Sequence, residues 1–243
     1  MTADFPTIVY YLVTGIVILE LLGAGLKKTS MAHLFLILRT CTCLVGIVYI
    51  AFFVGRPPLF GPFEAMVYII FIMGILALAF GKNHGRKNYF FGFNSLVVLL
   101  ILLSQTGESM ALNDDYYMYT NIWVILFFNL RLLSAAFLAH GAAIYICIVF
   151  LKKEEDILAA GARNILLAGT CVYLASEWAG SLWCLNWFGD SWRWSHGFFK
   201  ASILFLLVMA VCHLPAVIAR NRIGRGIIGT LPGIFILWMI FFH

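Results

Sequence analysis

Residues 122–151 read IWVILFFNLRLLSAAFLAHGAAIYICIVFL, thirty positions with one charge, Arg131, and one histidine, His140. An apolar run of 18 or more residues is long enough to cross a bilayer, and about 20 helical residues suffice. A buried soluble helix of this length would still need a polar face. Here there is none, so the solvent for this segment is lipid. The run exceeds one straight span, and Asn129 and Arg131 are predicted to divide it. The expectation is an interfacial helix followed by a true span from about Leu132.

The rest of the chain repeats the pattern. Of its 243 residues, 63% are hydrophobic and 11% are charged, with a mean hydropathy of +0.98. Soluble domains carry roughly 25% charged residues. Unbroken apolar runs exclude a β-barrel, whose strands alternate. The fold class expected is all-α, a polytopic transmembrane bundle of about eight spans. The spans are Thr7 to Leu26, His33 to Val54, Glu64 to Phe80, Tyr89 to Ser104, Ile122 to Leu151, Asn164 to Trp183, Phe198 to Ala219 and Ile227 to Phe242. No repeats or linkers interrupt them, so residues 1–243 form one integral membrane domain. The first run has no basic n-region and no A-x-A site, and no cleavable signal peptide is expected.

Orientation follows from the basic residues. The loops after spans one, three, five and seven carry 2, 3, 3 and 3 of the 16 Lys and Arg, counting Arg163. The opposite loops hold Arg56 and Arg193. The basic loops are therefore assigned to the cytoplasm, with both termini outside, in a multi-pass protein of the cell inner membrane. The net charge of +5 is spread between apolar runs, which argues for membrane topology and against nucleic acid. Six cysteines include no C-x-x-C. They read as small membrane-buried residues, with a metal site at Cys41 and Cys43 as the alternative.

Chemistry is suggested by aromatics and histidines. Trp178, Trp183, Trp187, Trp192 and Trp194 fall within 17 residues, around an outer loop at 183–197. One reading is an interfacial aromatic belt. The other is a flat aromatic platform for a planar apolar ligand such as haem. His140 and His213 lie inside apolar runs, where an ionisable residue points to function. At 1.5 Å per residue His140 falls about 12 Å from the outer start of its span, and His213 about 20 Å or more from that of its own. The expectation is one histidine in the outer half and one in the inner half, each a possible axial ligand. His196 and His243 are further outer candidates. His33 reads as interfacial and His84 as solvated. Glu64 is expected to cap the helix after the Pro-Pro turn. Arg39 and Arg131 are candidates to meet haem propionates, and Glu20 and Glu177 are candidates for a proton or quinol role. No G-x-S-x-G, H-E-x-x-H, phosphate loop or C-x-x-C-H occurs.

Three segments together carry a resemblance. Gly55-Arg-Pro-Pro-Leu-Phe-Gly-Pro-Phe-Glu64 is similar to the G-H-x-P-L-x-N-x-Y-E turn of CcsA/ResC/CcmC-type cytochrome c assembly proteins. His140-Gly-Ala-Ala-Ile-Tyr145 resembles their W-L-x-x-H-V…Y span. Gly180-Ser-Leu-Trp183, Phe188-Gly189 and Trp192-Arg-Trp194, followed by Cys212-His213, resemble their Trp-rich motif and later L-H. The resemblance implies a divergent haem-handling membrane protein. It implies haem b held at the outer face for cytochrome c maturation. His140 and His213 would be metal ligands, with Trp183, Trp187, Trp192, Trp194, His196 and His243 around the cofactor. The chain departs from the pattern at Arg56, where the family has His, at Phe188 in place of Trp, and at Ser195 in place of Asp. Three functions follow as expectations. The first is presentation of haem to an outer c-type cytochrome, as part of a cytochrome c synthase or haem lyase system. The second is a haem-bearing subunit that passes electrons from quinol to such a cytochrome. The third is a scaffold without haem. Membrane lipid, haem and another membrane or outer cytochrome subunit are the implied partners.

Overall fold

A computed structural model describes residues 4–26, 28–80, 87–105, 120–150, 155–189 and 196–242. These residues form α1 (Asp4–Gly25), α2 (Thr29–Tyr49), α3 (Pro62–Phe80), α4 (Lys87–Leu103), α5 (Ile122–Phe150), α6 (Glu155–Phe188), α7 (His196–Cys212), the short α8 (Ala216–Arg220) and α9 (Arg222–Phe241). A π-helical turn, Ile50–Val54, finishes α2, and Gly55 ends it at φ 76°. That left-handed conformation suits glycine and turns the chain into Arg56-Pro57-Pro58.

Among the described residues, six helices are long and apolar enough to cross a membrane; the apolar stretches Gly92–Leu103 and Phe199–Cys212 are shorter. Leu12, Phe52, Phe53, Trp178 and Leu206 are among many large apolar side chains that face outward. Such a surface is stable against lipid tails and unstable against water.

The bundle is built around α5. Its small residues, Ala135, Ala136, Ala139, Gly141, Ala142 and Ala143, are all buried and let neighbouring backbones come close. A Cβ added at Gly141 would strike Leu166 of α6, one at Gly92 of α4 would lie 2.8 Å from the Ala143 carbonyl oxygen, and one at Gly233 of α9 2.8 Å from that of Leu138. With Gly180 on Phe127 and Gly226 on Val149 further along, they make α6 and α9 antiparallel to α5; Ser104 on Met66, and Tyr68 on Asn129, do the same for α4. Lys200 of α7 stands 5.2 Å from the Trp238 ring, which sets α7 antiparallel to α9. One end of the bundle therefore carries the start of α5, the end of α6 with Trp183 and Trp187, the start of α7 and the end of α9. We refer to it as the tryptophan end. The opposite, basic end carries Arg220, Arg222 and Arg225, and Arg225 holds Asp156 at 2.9 Å.

Several boundaries differ from the sequence expectation, among them the start of α6, at Glu155 and not Asn164, so that Arg163 stands on a helix. α5 runs unbroken through Asn129 and Arg131, because both polar groups are met sideways. Tyr68 donates to Asn129 Oδ1 at 3.1 Å, and Arg131 pairs with Glu177 at 2.6 Å. α6 continues to Phe188, so Trp183 and Trp187 stand on a helix and not in a loop. α7 stops at Cys212, short of Ala219, because Pro215 cannot donate its backbone nitrogen to the helix. The π turn is a feature that composition did not suggest.

The α5–α9 contact gives a direct test. Gly226, Gly229 and Gly233 face α5, and the Tyr145 ring lies where a Gly229 side chain would stand. Gly229→Leu should lower stability by about 1–3 kcal/mol through overpacking. Gly15→Ala, which meets no atom within 4 Å, should be near neutral. Thermal melting of the purified protein in detergent reads both; equal effects would refute the contact.

Candidate functional site

Polar groups enter the apolar bundle in pairs. Glu20 of α1 and Arg39 of α2 are both fully buried and 2.8 Å apart. Arg39 also donates to Asn94 Oδ1 of α4 at 2.6 Å. Its guanidinium lies 4.9 Å from the Phe93 ring centroid. Phe93 is edge-on to His140, with centroids 6.0 Å apart. A row of buried groups thus crosses four helices from Glu20 to His140. Near the tryptophan end, Arg56 makes two bonds to Glu64, at 2.8 and 2.6 Å, and the Phe60 N–H donates to Glu64 at 3.0 Å. Glu64 sits in the first turn of α3. It therefore sets a carboxylate at the positive end of that helix and closes the Pro-Pro turn.

The third pair, Arg131 and Glu177, joins α5 to α6. Arg131 stacks 4.3 Å from Phe127 and lies 5.7 Å from Tyr173. Tyr173 is buried, with its hydroxyl shut off from solvent and within hydrogen-bonding reach of Glu177 and Arg131. Beside it, α6 and α7 leave an open groove of about 590 Å³, lined by Tyr173, Glu177, Leu174, Ala201 and Phe205 among others.

His140 is fully buried at the nineteenth of 29 positions in α5. That is about 6 Å from the helix midpoint, toward the basic end. The expected break at Asn129 and Arg131 does not occur, so α5 starts at Ile122 and the distance of His140 from the helix start is larger than the sequence reading took it to be. His213 is exposed in the turn that ends α7. Lys200 over Trp238 and Gly233 over Ala142 carry the register from α7 through α9 to α5. By that register His213 stands level with Phe150, about 15 Å from His140 along the axis. The two histidines do not share a site.

Trp183 is half-buried against Phe127 and Phe128, at 5.8 and 6.3 Å. Trp187 is exposed and meets Trp183 at 6.0 Å with ring planes 78° apart. These two rings pack edge to face, as aromatic quadrupoles favour, and do not form a flat platform. Trp178 points outward, edge-on to Trp123. His196 is the first residue of α7. Lys82, His84, Arg86, Trp192, Arg193, Trp194, Ser195 and His243 lie outside the described residues. His33 stands edge-on to Phe90. Arg39 and Arg131, candidates for propionates, are instead taken up by Glu20 and Glu177. Cys41 is exposed while Cys43 is buried, and no group of three or more His, Cys, Asp or Glu side chains gathers among the described residues.

Asn94 and Tyr173 were not singled out from sequence. Asn94 carries the signal of a polar residue within an apolar run. Tyr173 stands four residues before Glu177, so both share a helix face. No family model, curated protein or solved structure matches the chain.

Arg39→Ala strands the Glu20 carboxylate in the bundle and should cost about 3–5 kcal/mol, whereas Glu20→Met with Arg39→Met should recover most of the loss. Thermal melting with yield from membranes measures this. A double variant no better than Arg39→Ala would contradict the pairing.

Proposed function

We propose that the chain is an eight-span, haem-handling protein of the cell inner membrane. Haem b is held at the tryptophan end for delivery to an outer c-type cytochrome. The tryptophan end faces outward and the basic end faces the cytoplasm. Support for eight spans is the alternating direction of α1–α7 and α9, in which α4 and α7 pair antiparallel with full-length neighbours. Support for the orientation is the arginine cluster at one end.

One observation carries the haem assignment. The antiparallel register of α7 on α9 brings the start of α7, at His196, alongside the end of α9, at Phe241. His243 follows two positions later in the sequence. We assign the iron to His196 and His243, the further outer candidates of the sequence, in place of His140, which the resemblance makes a ligand. Trp183 and Trp187 stand at the same end. The Trp183 Nε1–H is buried without an acceptor and suits a propionate oxygen. Trp192 and Trp194 belong to the same segment. When bound, haem supplies a redox-active iron held by neutral imidazole. His140 does not fit this role. Gly141 on Leu166 and Gly180 on Phe127 fix the α5–α6 register, and it sets His140 about 24 Å below Trp183. Its ring is also fully enclosed. His213, at the basic end, is left as a contact for haem entering from the cytoplasm.

The chain's own part is to exclude water around the ring, border it with Trp183 and Trp187, and hold the iron. A second reading, a haem-bearing subunit that takes electrons from quinol, is favoured by Glu177 among the lining residues of the α6–α7 groove.

The test is the absorbance spectrum and haem content of protein purified from haem-replete cells. Wild type should carry haem, His196→Ala with His243→Ala should lose most of it, and His140→Ala should keep it. Haem-free wild type, or haem unaffected by the double variant, refutes the assignment. Normal c-type cytochromes after gene deletion would remove delivery and leave the electron-transfer reading.

A further inference from the structure

Two arginines at the basic end lack an anion. Arg163 is exposed near the start of α6, and Arg220 is exposed at the end of α8. Arg225 holds Asp156 at 2.9 Å, but among the described residues no carboxylate meets Arg163 or Arg220. Arg163 is within electrostatic reach of Cys212, where α7 ends, and both Arg163 and Arg225 are within such reach of Tyr145 on α5. Cations from α6 and α9 thus gather beside the end of α7. Guanidinium groups match phosphate geometry with paired, charge-assisted hydrogen bonds.

Arg163 also stands at the mouth of the α6–α7 groove, which holds about 590 Å³ and is walled by Thr170, Leu174, Leu204 and Phe205 among others. Arg163 lies seven residues before Thr170 on α6, and Cys212 seven after Phe205 on α7. Both therefore stand about 10 Å beyond these wall residues, toward the basic end. Polar groups of the lining are engaged within the protein. Thr170 donates to the Leu166 carbonyl at 2.8 Å, and Glu177 accepts from Arg131 at 2.6 Å. The walls that remain are apolar and suit hydrocarbon.

Depth and charge select the occupant. Arg163 lies eight to nine residues from the midpoint of α6 (Glu155–Phe188), which is about 13 Å toward the basic end. The hydrocarbon core extends about 15 Å either side of its centre, so the guanidinium stands at its edge, where headgroup phosphates lie. A chain reaching about 15 Å inward from there ends level with Tyr173 and Leu174. It passes along the groove walls and stops short of the Arg131–Glu177 pair. A choline or ethanolamine headgroup brings its own cation to its phosphate. An anionic headgroup leaves the phosphate to the arginines.

We infer that the basic end binds an anionic phospholipid, with its phosphate on Arg163 and one acyl chain in the α6–α7 groove. Arg220, on the short helix that leads from α7 to α9, adds a second cation. The site stands whether or not the tryptophan end takes haem.

The experiment uses the full chain, delipidated in an uncharged detergent and titrated with dioleoylphosphatidylglycerol or dioleoylphosphatidylcholine, with bound lipid counted by native mass spectrometry. One phosphatidylglycerol should bind roughly tenfold more tightly than phosphatidylcholine. Arg163→Gln should weaken it roughly fivefold, and Arg163→Lys, which keeps the charge, should retain most of it. Ala201→Trp, which narrows the groove, should weaken it while elution and helical content stay unchanged. Excess inorganic phosphate or decylubiquinone should not displace the lipid. Equal binding of the two lipids, binding that Arg163→Gln does not alter, or displacement by phosphate or by the quinone overturns the proposal. If Ala201→Trp fails to fold, Arg163→Gln, at an exposed position, decides. Bound haem and bound lipid differ in mass, so a failure of the haem assignment is separately visible.

Discussion

A charge carried into hydrocarbon must meet an opposite charge before its helix can pack. Three arginines meet that condition here, and each ties together separate pieces of chain. Arg39 joins α2 to α1 through Glu20 and to α4 through Asn94. Arg56 closes the turn before α3 through Glu64. Arg131 joins α5 to α6 through Glu177. Magnitudes decide what these pairs do. Breaking a buried pair costs about 3–5 kcal/mol, but replacing both partners by apolar groups is often neutral or better. Their contribution is therefore to register, since a slip of one helix strands a charge.

Close packing completes what the pairs begin. Glycines 226, 229 and 233 lay α9 on α5, and the Tyr145 ring fills the space above Gly229. Lipid gives no hydrophobic drive to helix association, so close van der Waals contact has to supply it. The result fixes relative heights. Tryptophans 183 and 187 stand near one end, Arg131 and Glu177 about 8 Å from the helix midpoints, and His140 just past them.

The helical class, the apolar segments and a carboxylate in the first turn of α3 at Glu64 were readable from sequence, because they rest on local composition and spacing. The path of α5 was not. Arg131 in an apolar run looks like an interface marker, and only a partner 46 positions away, Glu177, keeps it inside. His140 shared that error, since its depth was counted from a break that does not form. Tyr173 did not stand out because an intramembrane tyrosine is ordinary; its part shows only where it packs against Arg131 and Glu177. The end of α7 at Pro215 was signalled by the proline, and the apolar pattern beyond it was misleading.

The heights depend on α5 being one helix, and that is measurable. Nitroxide labels at positions 122 and 150, both exposed, on a background with the native cysteines replaced, report its length by double electron–electron resonance. A continuous helix separates the two Cα positions by about 42 Å, and one narrow distance near that value is predicted. A helix turned into the interface before Leu132 would bring them to about 31 Å or less, and that distance would contradict the paired, unbroken α5.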